Sequence, residues 1–323
     1  MGFALLSFHI CRHGPDHSPS GRRKPSFDKR RRAAHNHGVQ PATTRHAMPE
    51  LPEVETVCRG LAPALEGRRL ERVILRRPDL RFPLPNGFGQ RLTGCQVKRV
   101  GRRAKFLLIE FEDDTVLVAH LGMSGRFRVF AGEPPPEEPH DHVILEASGG
   151  LTVRFNDPRR FGFMDLTTNA ELAMHPMLAK LGPEPVYPGL DGPALAARLK
   201  GRGTTIKAAL LDQAVIAGIG NIYASETLHE ASISPRRMAR SVQGARAAKL
   251  AAAVRDVLER AIEAGGSSLR NHRQPTGELG YFQHEFRVYG REGELCPRCG
   301  EAAAVRRISQ SGRSTFYCSG CQR

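Results

Sequence analysis

Two Cys-x-x-Cys pairs near the carboxyl end limit this chain more than any other feature. Cys296-Pro-Arg-Cys299 is followed, eighteen residues later, by Cys318-Ser-Gly-Cys321. Knuckles at that spacing gather four thiolates around one tetrahedral zinc ion. Four protein ligands leave no open coordination position, so the expected Zn2+ is structural. A redox dithiol or a pair of disulfides are the competing uses of the same residues. Residues 309–317 lie between the knuckles and read as a hairpin tip closed by a strand, with Arg313 poised to enter a groove. Cys11, Cys58 and Cys95 are scattered singly and read as free thiols in a reducing compartment.

A chain of 323 residues has room for two or three domains. Its formal charge of +15 favours a polyanionic partner. Residues 1–47 hold nine Lys/Arg against two Asp, and the remainder holds 39 against 31, so the body is basic in its own right. No apolar run approaches the roughly 18 residues of a membrane-spanning helix. The first 47 residues are rich in Arg, His, Ser and Pro, lack apolar periodicity, and read as a disordered extension absent from the active protein. A translation start placed too early, with the true start at Met48, accounts for them; a removable leader is the other reading.

Met48-Pro49-Glu50-Leu51-Pro52-Glu53 opens the folded part. Met before Pro is a start from which the initiator is readily trimmed, leaving Pro49 with a free secondary amine. An α-amino group titrates near pH 8, so a useful fraction is nucleophilic at neutrality, and attack on a sugar C1′ would give an iminium. Glu50 and Glu53, one helical turn apart, stand where acid–base work is needed. Ordinary helix-opening chemistry explains the same Pro and Glu residues, and Val54, Val57, Leu61 and Leu65 mark the buried face of that helix.

From residue 70 the rhythm shortens. Runs at 70–75, 96–100, 104–111, 115–121, 126–130, 143–146 and 152–155 are β-branched or aromatic, separated by Gly, Pro, Asn and Asp, as in a β-sandwich. Lys105 opens one of these strands and by itself reads as a solvated strand-end lysine. Gly122 and Gly125 flank a turn that presents Met123. Asn156-Asp157-Pro158 makes another turn, from which Arg159-Arg160-Phe161 emerges, a pairing suited to base contact and stacking. His140-Asp141-His142 resembles half of a metal site, a weak signal alone. Beyond a Pro-rich linker at 182–188, helices are expected over 191–200, 204–213, 221–230 and 243–264. Gly218-Ile219-Gly220-Asn221 predicts a tight turn with Asn221 as N-cap, and its free N–H groups make an anion site.

Residues 48–323, and the motifs just quoted, resemble the bacterial formamidopyrimidine-DNA glycosylase family. The resemblance implies an α+β multidomain fold: a catalytic β-sandwich with its leading helix over 48–181, a helix–two-turn–helix DNA-binding domain over 182–280, and a zinc-ribbon-like hairpin over 281–323. It further implies a bifunctional glycosylase and abasic-site lyase that excises oxidised purines from double-stranded DNA by β,δ-elimination. Pro49 would be the nucleophile and Glu50 the acid. Lys105 and Arg313 would contact phosphate and assist elimination, with Glu53 organising the site. Met123 and Phe161 become wedges, Arg159 reads the orphaned cytosine, and His140, Arg202 and Asn221 contact DNA. Arg202 stands where the family has a Lys, which puts the geometry of that contact in doubt. Residues 267–280 would form a loop over the extruded base. The expected protein is a cytoplasmic, nucleoid-associated monomer. An endonuclease VIII-like enzyme for oxidised pyrimidines is one rival; a non-catalytic DNA-binding protein is another if residues 1–47 stay attached, because Pro49 is then an amide.

Overall fold

The computed structural model describes residues 48–267, 275 and 280–323; the expected disordered extension at 1–47 lies outside them, as does most of the 267–280 loop.

Helix α1 (Leu51–Leu65) starts at Glu50, whose backbone N–H donates to Glu53 Oε2 at 2.9 Å, with Pro52 in the first turn where its missing N–H costs nothing. Its anticipated apolar face is buried: Val54, Val57, Leu61 and Leu65 join the core of the β-sandwich. Leu51 instead packs into a second core, made by the helical half of the chain. The start of α1 is thereby anchored in both halves.

The sandwich consists of two antiparallel four-stranded sheets. One has the order β1 (Leu70–Leu75), β6 (Asp141–Ala147), β7 (Leu151–Asn156), β5 (Arg126–Ala131). The other runs β2 (Val97–Arg103), β3 (Phe106–Phe111), β4 (Thr115–His120), β8 (Phe163–Thr168). Strand β4 is a continuous apolar run because both of its faces are covered: Leu117 and Ala119 enter the sandwich core, while Val116 and Val118 pack against Leu172, Leu178 and Leu181. Two elements escaped the reading of sequence. Strand β8 (Phe163–Thr168) has its apolar pattern interrupted by Asp165, and α2 (Phe88–Leu92) is a five-residue helix held by Phe88 and Leu92 in the core. Expected strand ends shift by up to three residues elsewhere, the most at the end of β2.

The helical half contains α3 (Gly192–Leu199), α4 (Ile206–Leu211), α5 (Asn221–Glu230) and α6 (Ala245–Glu263), each inside its expected span. Asp191 and Thr205 cap α3 and α4 by accepting from Ala194 N and Ala208 N. Helix α5 departs from expectation: its N-cap is Gly220, not Asn221, and the capping acceptor comes from the other half of the chain. A three-stranded sheet of β9 (Leu295–Cys296), β10 (Gly300–Gln310) and β11 (Arg313–Cys318) ends the fold. Ser311 (φ 50°) and Gly312 (φ 71°) make the two-residue turn joining β10 to β11, both left-handed as such hairpins require.

Candidate active site and nucleic-acid interface

The Glu50 carboxylate fills the N-terminus of α5. Oε2 accepts from Gly220 N at 2.6 Å and Tyr223 N at 3.3 Å, and Oε1 accepts from Ile222 N at 2.9 Å. The anion site read into this turn is real, but its anion is a side chain 170 residues away in sequence. Gly220 is required, since a Cβ there would collide with the Glu50 carboxyl. Burial pushes Glu50 up to about 7; Lys105 pulls it down, the Glu53 carboxylate adds to the rise, and the helix N–H groups oppose it. A carboxyl half-protonated at neutrality is poised to give a proton.

Glu53 holds the surroundings still. Beyond the Glu50 N–H, it accepts from Tyr223 Oη at 2.6 Å, Ser267 N at 2.7 Å and Ser267 Oγ at 2.8 Å. Pro49 is buried next to them, and Met48 is exposed beside it.

Lys105 is not the solvated strand-end lysine its local sequence suggests; it is 6% exposed, in the turn between β2 and β3. Burial lowers its pKa, Glu50 opposes that, and Arg313 reinforces it, so the three side chains share one field. The turn is held from the linker: Glu184 accepts from Ala104 N at 2.6 Å, from Arg102 at 2.7 Å and from Arg103 at 2.6 Å. Ala104 has φ 53°, a strained value for a residue with a Cβ, sustained by those bonds.

Lys207, within the field of Glu50, is 1% exposed. Its ammonium donates to Asn221 Oδ1 at 2.7 Å, Ser314 O at 2.9 Å and Thr315 Oγ1 at 2.7 Å, while Asn221 Nδ2 donates to Ser314 O at 2.9 Å. These bonds pin the β10–β11 hairpin to α5 close to its tip and leave Arg313 exposed next to the turn. Burial lowers Lys207 to about 7, Glu50 acting against that and Arg313 with it.

A third group forms the rim. An open cavity of about 520 Å³ is lined by Met48, Arg81, His120, Met123, Arg159 and Phe161, among others. Asp157 ties its two turns together, accepting from Ser124 Oγ on one and Gly162 N (2.7 Å) on the other. Gly122, at φ 63°, lies so close to the Phe161–Gly162 backbone that no Cβ fits. The Arg159 guanidinium stacks 4.7 Å from the Phe161 ring, and Phe161 is 42% exposed.

Comparison with known proteins fits this arrangement. Residues 48–164 match the formamidopyrimidine-DNA glycosylase N-terminal domain, and 181–273 match the H2TH domain of the same enzyme. Formamidopyrimidine-DNA glycosylases of Azorhizobium caulinodans and Rhodospirillum centenum are 55% and 57% identical, in each case over 85% of this chain and all of the relative. The chain belongs to the formamidopyrimidine-DNA glycosylase family. It is a DNA glycosylase and abasic-site lyase of oxidative-damage repair. Lactococcus lactis Fpg, solved with DNA containing an abasic site, superposes with a TM-score of 0.77 at 34% identity, covering 85% of this chain and 99% of that one. The wild-type protein of the same organism, bound to DNA containing N7-benzyl-Fapy-dG, gives the same TM-score and identity over 85% of this chain and all of that one.

Against that family pattern, the structure brings together Pro49, Glu50, Glu53, Lys105, Asn221 and Arg313, and it groups Met123, Arg159 and Phe161 on the rim. Arg202 bonds elsewhere, to Arg198 O at 2.8 Å and to Asp212 at 3.0 Å. His140 is exposed, 6.1 Å ring to ring from His142. The metal reading of 140–142 lacks support: Asp141 is bound by Arg128 and Asn156, and His142 by Asp157 O. Tyr223, Ser267 and Lys207 were missed. Lys207 alone left a signal, as a lone charge at the start of the apolar run Ile-Lys-Ala-Ala-Leu-Leu.

The cysteines form the one candidate metal group among the described residues, with all four sulfurs within 4.8 Å of one another. Cys296 and Cys321 sulfurs stand 3.9 Å apart, and those of Cys299 and Cys318 3.7 Å. Four thiolates about 2.3 Å from a tetrahedral ion have edges of about 3.8 Å, so the cage fits a metal and is far too open for disulfides. Cys58 and Cys95 are free thiols as expected, and Cys11 lies outside the described residues. No described helix is long and apolar enough to cross a membrane.

Proposed function

We propose that the chain, in a form beginning at Pro49, excises 8-oxoguanine paired with cytosine and ring-opened formamidopyrimidines from double-stranded DNA and then cuts the strand. The supporting observation is the buried Glu50 carboxyl: adjacent to Pro49, held by three N–H groups, and lifted to about 7. Pro49 nitrogen attacks C1′ of the extruded nucleotide, the C1′–base bond breaks, and the proton released by the amine goes to the departing base. Glu50 passes its proton to the ring oxygen O4′, the ring opens, and nitrogen's lone pair completes an iminium at C1′. Loss of a C2′ proton then expels the 3′ phosphate, and a second elimination expels the 5′ phosphate.

Lys105, low in pKa and beside Glu50, and Arg313, on the hairpin, take the flanking phosphates and assist elimination. Glu53 fixes the backbone of Glu50. Met123 and Phe161 fill the gap in the duplex, and Arg159 pairs with the orphaned cytosine. Asn221, His140 and Arg202 contact the backbone, with Lys207 holding Asn221 in place. One structural Zn2+ sits in Cys296, Cys299, Cys318 and Cys321 and stiffens the hairpin without touching the reaction. The division into 48–181, 182–280 and 281–323, a monomeric state, and a cytoplasmic site of action on nucleoid DNA complete the reading.

Borohydride trapping tests it. Protein beginning at Pro49 is expected to form a covalent adduct with an 8-oxoguanine duplex, mapped by mass spectrometry to Pro49, whereas the whole chain is not. No adduct from the Pro49 form would overturn the mechanism; stronger trapping on thymine glycol would move the substrate to oxidised pyrimidines.

A further inference from the structure

Helix α5 ends against the first cysteine knuckle. His229, one residue from the end of that helix, is 1% exposed, and its Nε2 lies 3.5 Å from Cys296 Sγ. Cys296 is itself fully buried. Nδ1 of His229 has no hydrogen-bond partner among the described residues. Arg298, inside the same knuckle, clasps the helix end from outside, donating to His229 O at 2.8 Å and to Ser232 Oγ at 2.6 Å.

A metal-bound cysteine is a thiolate and can only accept a hydrogen bond. The contact is then attractive in one tautomer, with the proton on Nε2. That tautomer leaves Nδ1 as a bare lone pair, which agrees with the lack of an acceptor near it. The opposite tautomer would set a lone pair against the thiolate and bury an N–H without a partner, the costlier arrangement. Helix α5 also carries Glu226, whose buried carboxyl accepts from the backbone N–H groups of Arg287, Val288 and Tyr289 on the approach to the knuckle.

We propose that His229 belongs to the metal site: its Nε2–H donates to the Cys296 thiolate, orients it, and damps its reactivity. The helix that grips Glu50 at one end thus grips the metal cage at the other. Such partners of a ligand typically change metal affinity by about 10–100-fold. The inference rests on the reading that the four cysteines hold zinc.

The test uses the whole chain as purified. Its zinc content is measured first; a chain without zinc would defeat the metal reading itself, separately from the role of His229. Zinc transfer to 4-(2-pyridylazo)resorcinol is then compared across His229→Phe, which fills the space without a donor, and His229→Gln, which keeps an amide N–H. We expect His229→Phe to bind zinc about 10–100-fold more weakly and His229→Gln to lie nearer wild type. In Co2+-substituted protein, the thiolate charge-transfer band should move to longer wavelength in His229→Phe, which a space-filling role would not cause. Equal affinity and an unmoved band would overturn the proposal. If His229→Phe fails to fold by circular dichroism, the 15N–1H spectrum of wild type decides: an Nε2–H tautomer supports the bond, and Nδ1–H refutes it.

Discussion

Replacing Glu50 by Gln separates the electrostatic cost of this site from its packing. The carboxyl titrates near 4.5 when exposed and at about 7 in the fold. A folded-state pKa raised for an acid means that the native protein binds the extra proton, so its stability falls as pH rises from 4.5 to 7 and stays reduced above. Over pH 5 to pH 8 the loss amounts to about 2.5 kcal/mol, taking about 1.36 kcal/mol for each pH unit that separates the folded from the unfolded value. Gln cannot ionise and lacks this loss. Its oxygen keeps one acceptor, but its NH2 group faces the other backbone N–H, of Gly220 or Ile222, at a cost of about 1–3 kcal/mol. The hydroxyl of the protonated carboxyl avoids that clash by turning its hydrogen away. The variant is therefore expected to be the less stable protein at pH 5, with the gap closing by about 2.5 kcal/mol by pH 8. Urea unfolding followed by far-ultraviolet circular dichroism reads the difference, since the chain has no Trp. A gap equal at both pH values to within about 0.5 kcal/mol would refute the reasoning. In the Pro49 form the variant should also lose base excision, and wild-type excision should decline above about pH 7 as Glu50 loses its proton.

Gly220→Ala forces the Glu50 carboxyl out of its seat; single-turnover excision should slow by about 100-fold, and an unchanged rate would show that the seat does not matter. Arg313→Ala, at an exposed position, should leave unfolding within about 0.5 kcal/mol of wild type and reduce the salt dependence of DNA binding by about one phosphate contact, which titration at several salt concentrations measures. Lys207→Met strips partners from Asn221, Ser314 and Thr315, and should destabilise by about 2–4 kcal/mol in urea. Stripping zinc from the knuckles should weaken duplex binding by about tenfold or more while the β-sandwich signal persists, as fluorescence anisotropy and circular dichroism would report.

Features written into short stretches of sequence were legible: the Cys spacing, the face of α1 at Val54, Val57, Leu61 and Leu65, and most of the strands. Those that depend on distant partners were not. Asn221 satisfies every local rule for an N-cap, yet Glu50 supplies the acceptor, and no pattern near residue 221 could announce a carboxylate 170 positions earlier. Lys105 reads as exposed because it is a charge at the end of a strand; its burial comes from packing beside Glu50 and from the grip of Glu184 on its turn. Strand β8, interrupted by Asp165, and helix α2, only five residues long, show no clear period and exist because β4 and the sandwich core await them. For the rim, sequence supplied Met123, Arg159 and Phe161 but not the Asp157 bonds that join their turns.

That junction has a mechanical consequence. With the Gly122 backbone pressed against Phe161 and Gly162, and Asp157 bonded to both turns, Met123 cannot advance into a duplex while Arg159 and Phe161 hang back. The two loops form a single tooth with three cusps, and in the wedge role proposed for them they would enter a base stack in one stroke. Lengthening either loop by one residue would split the tooth rather than extend its reach, so the two turns are bound to change length together or not at all.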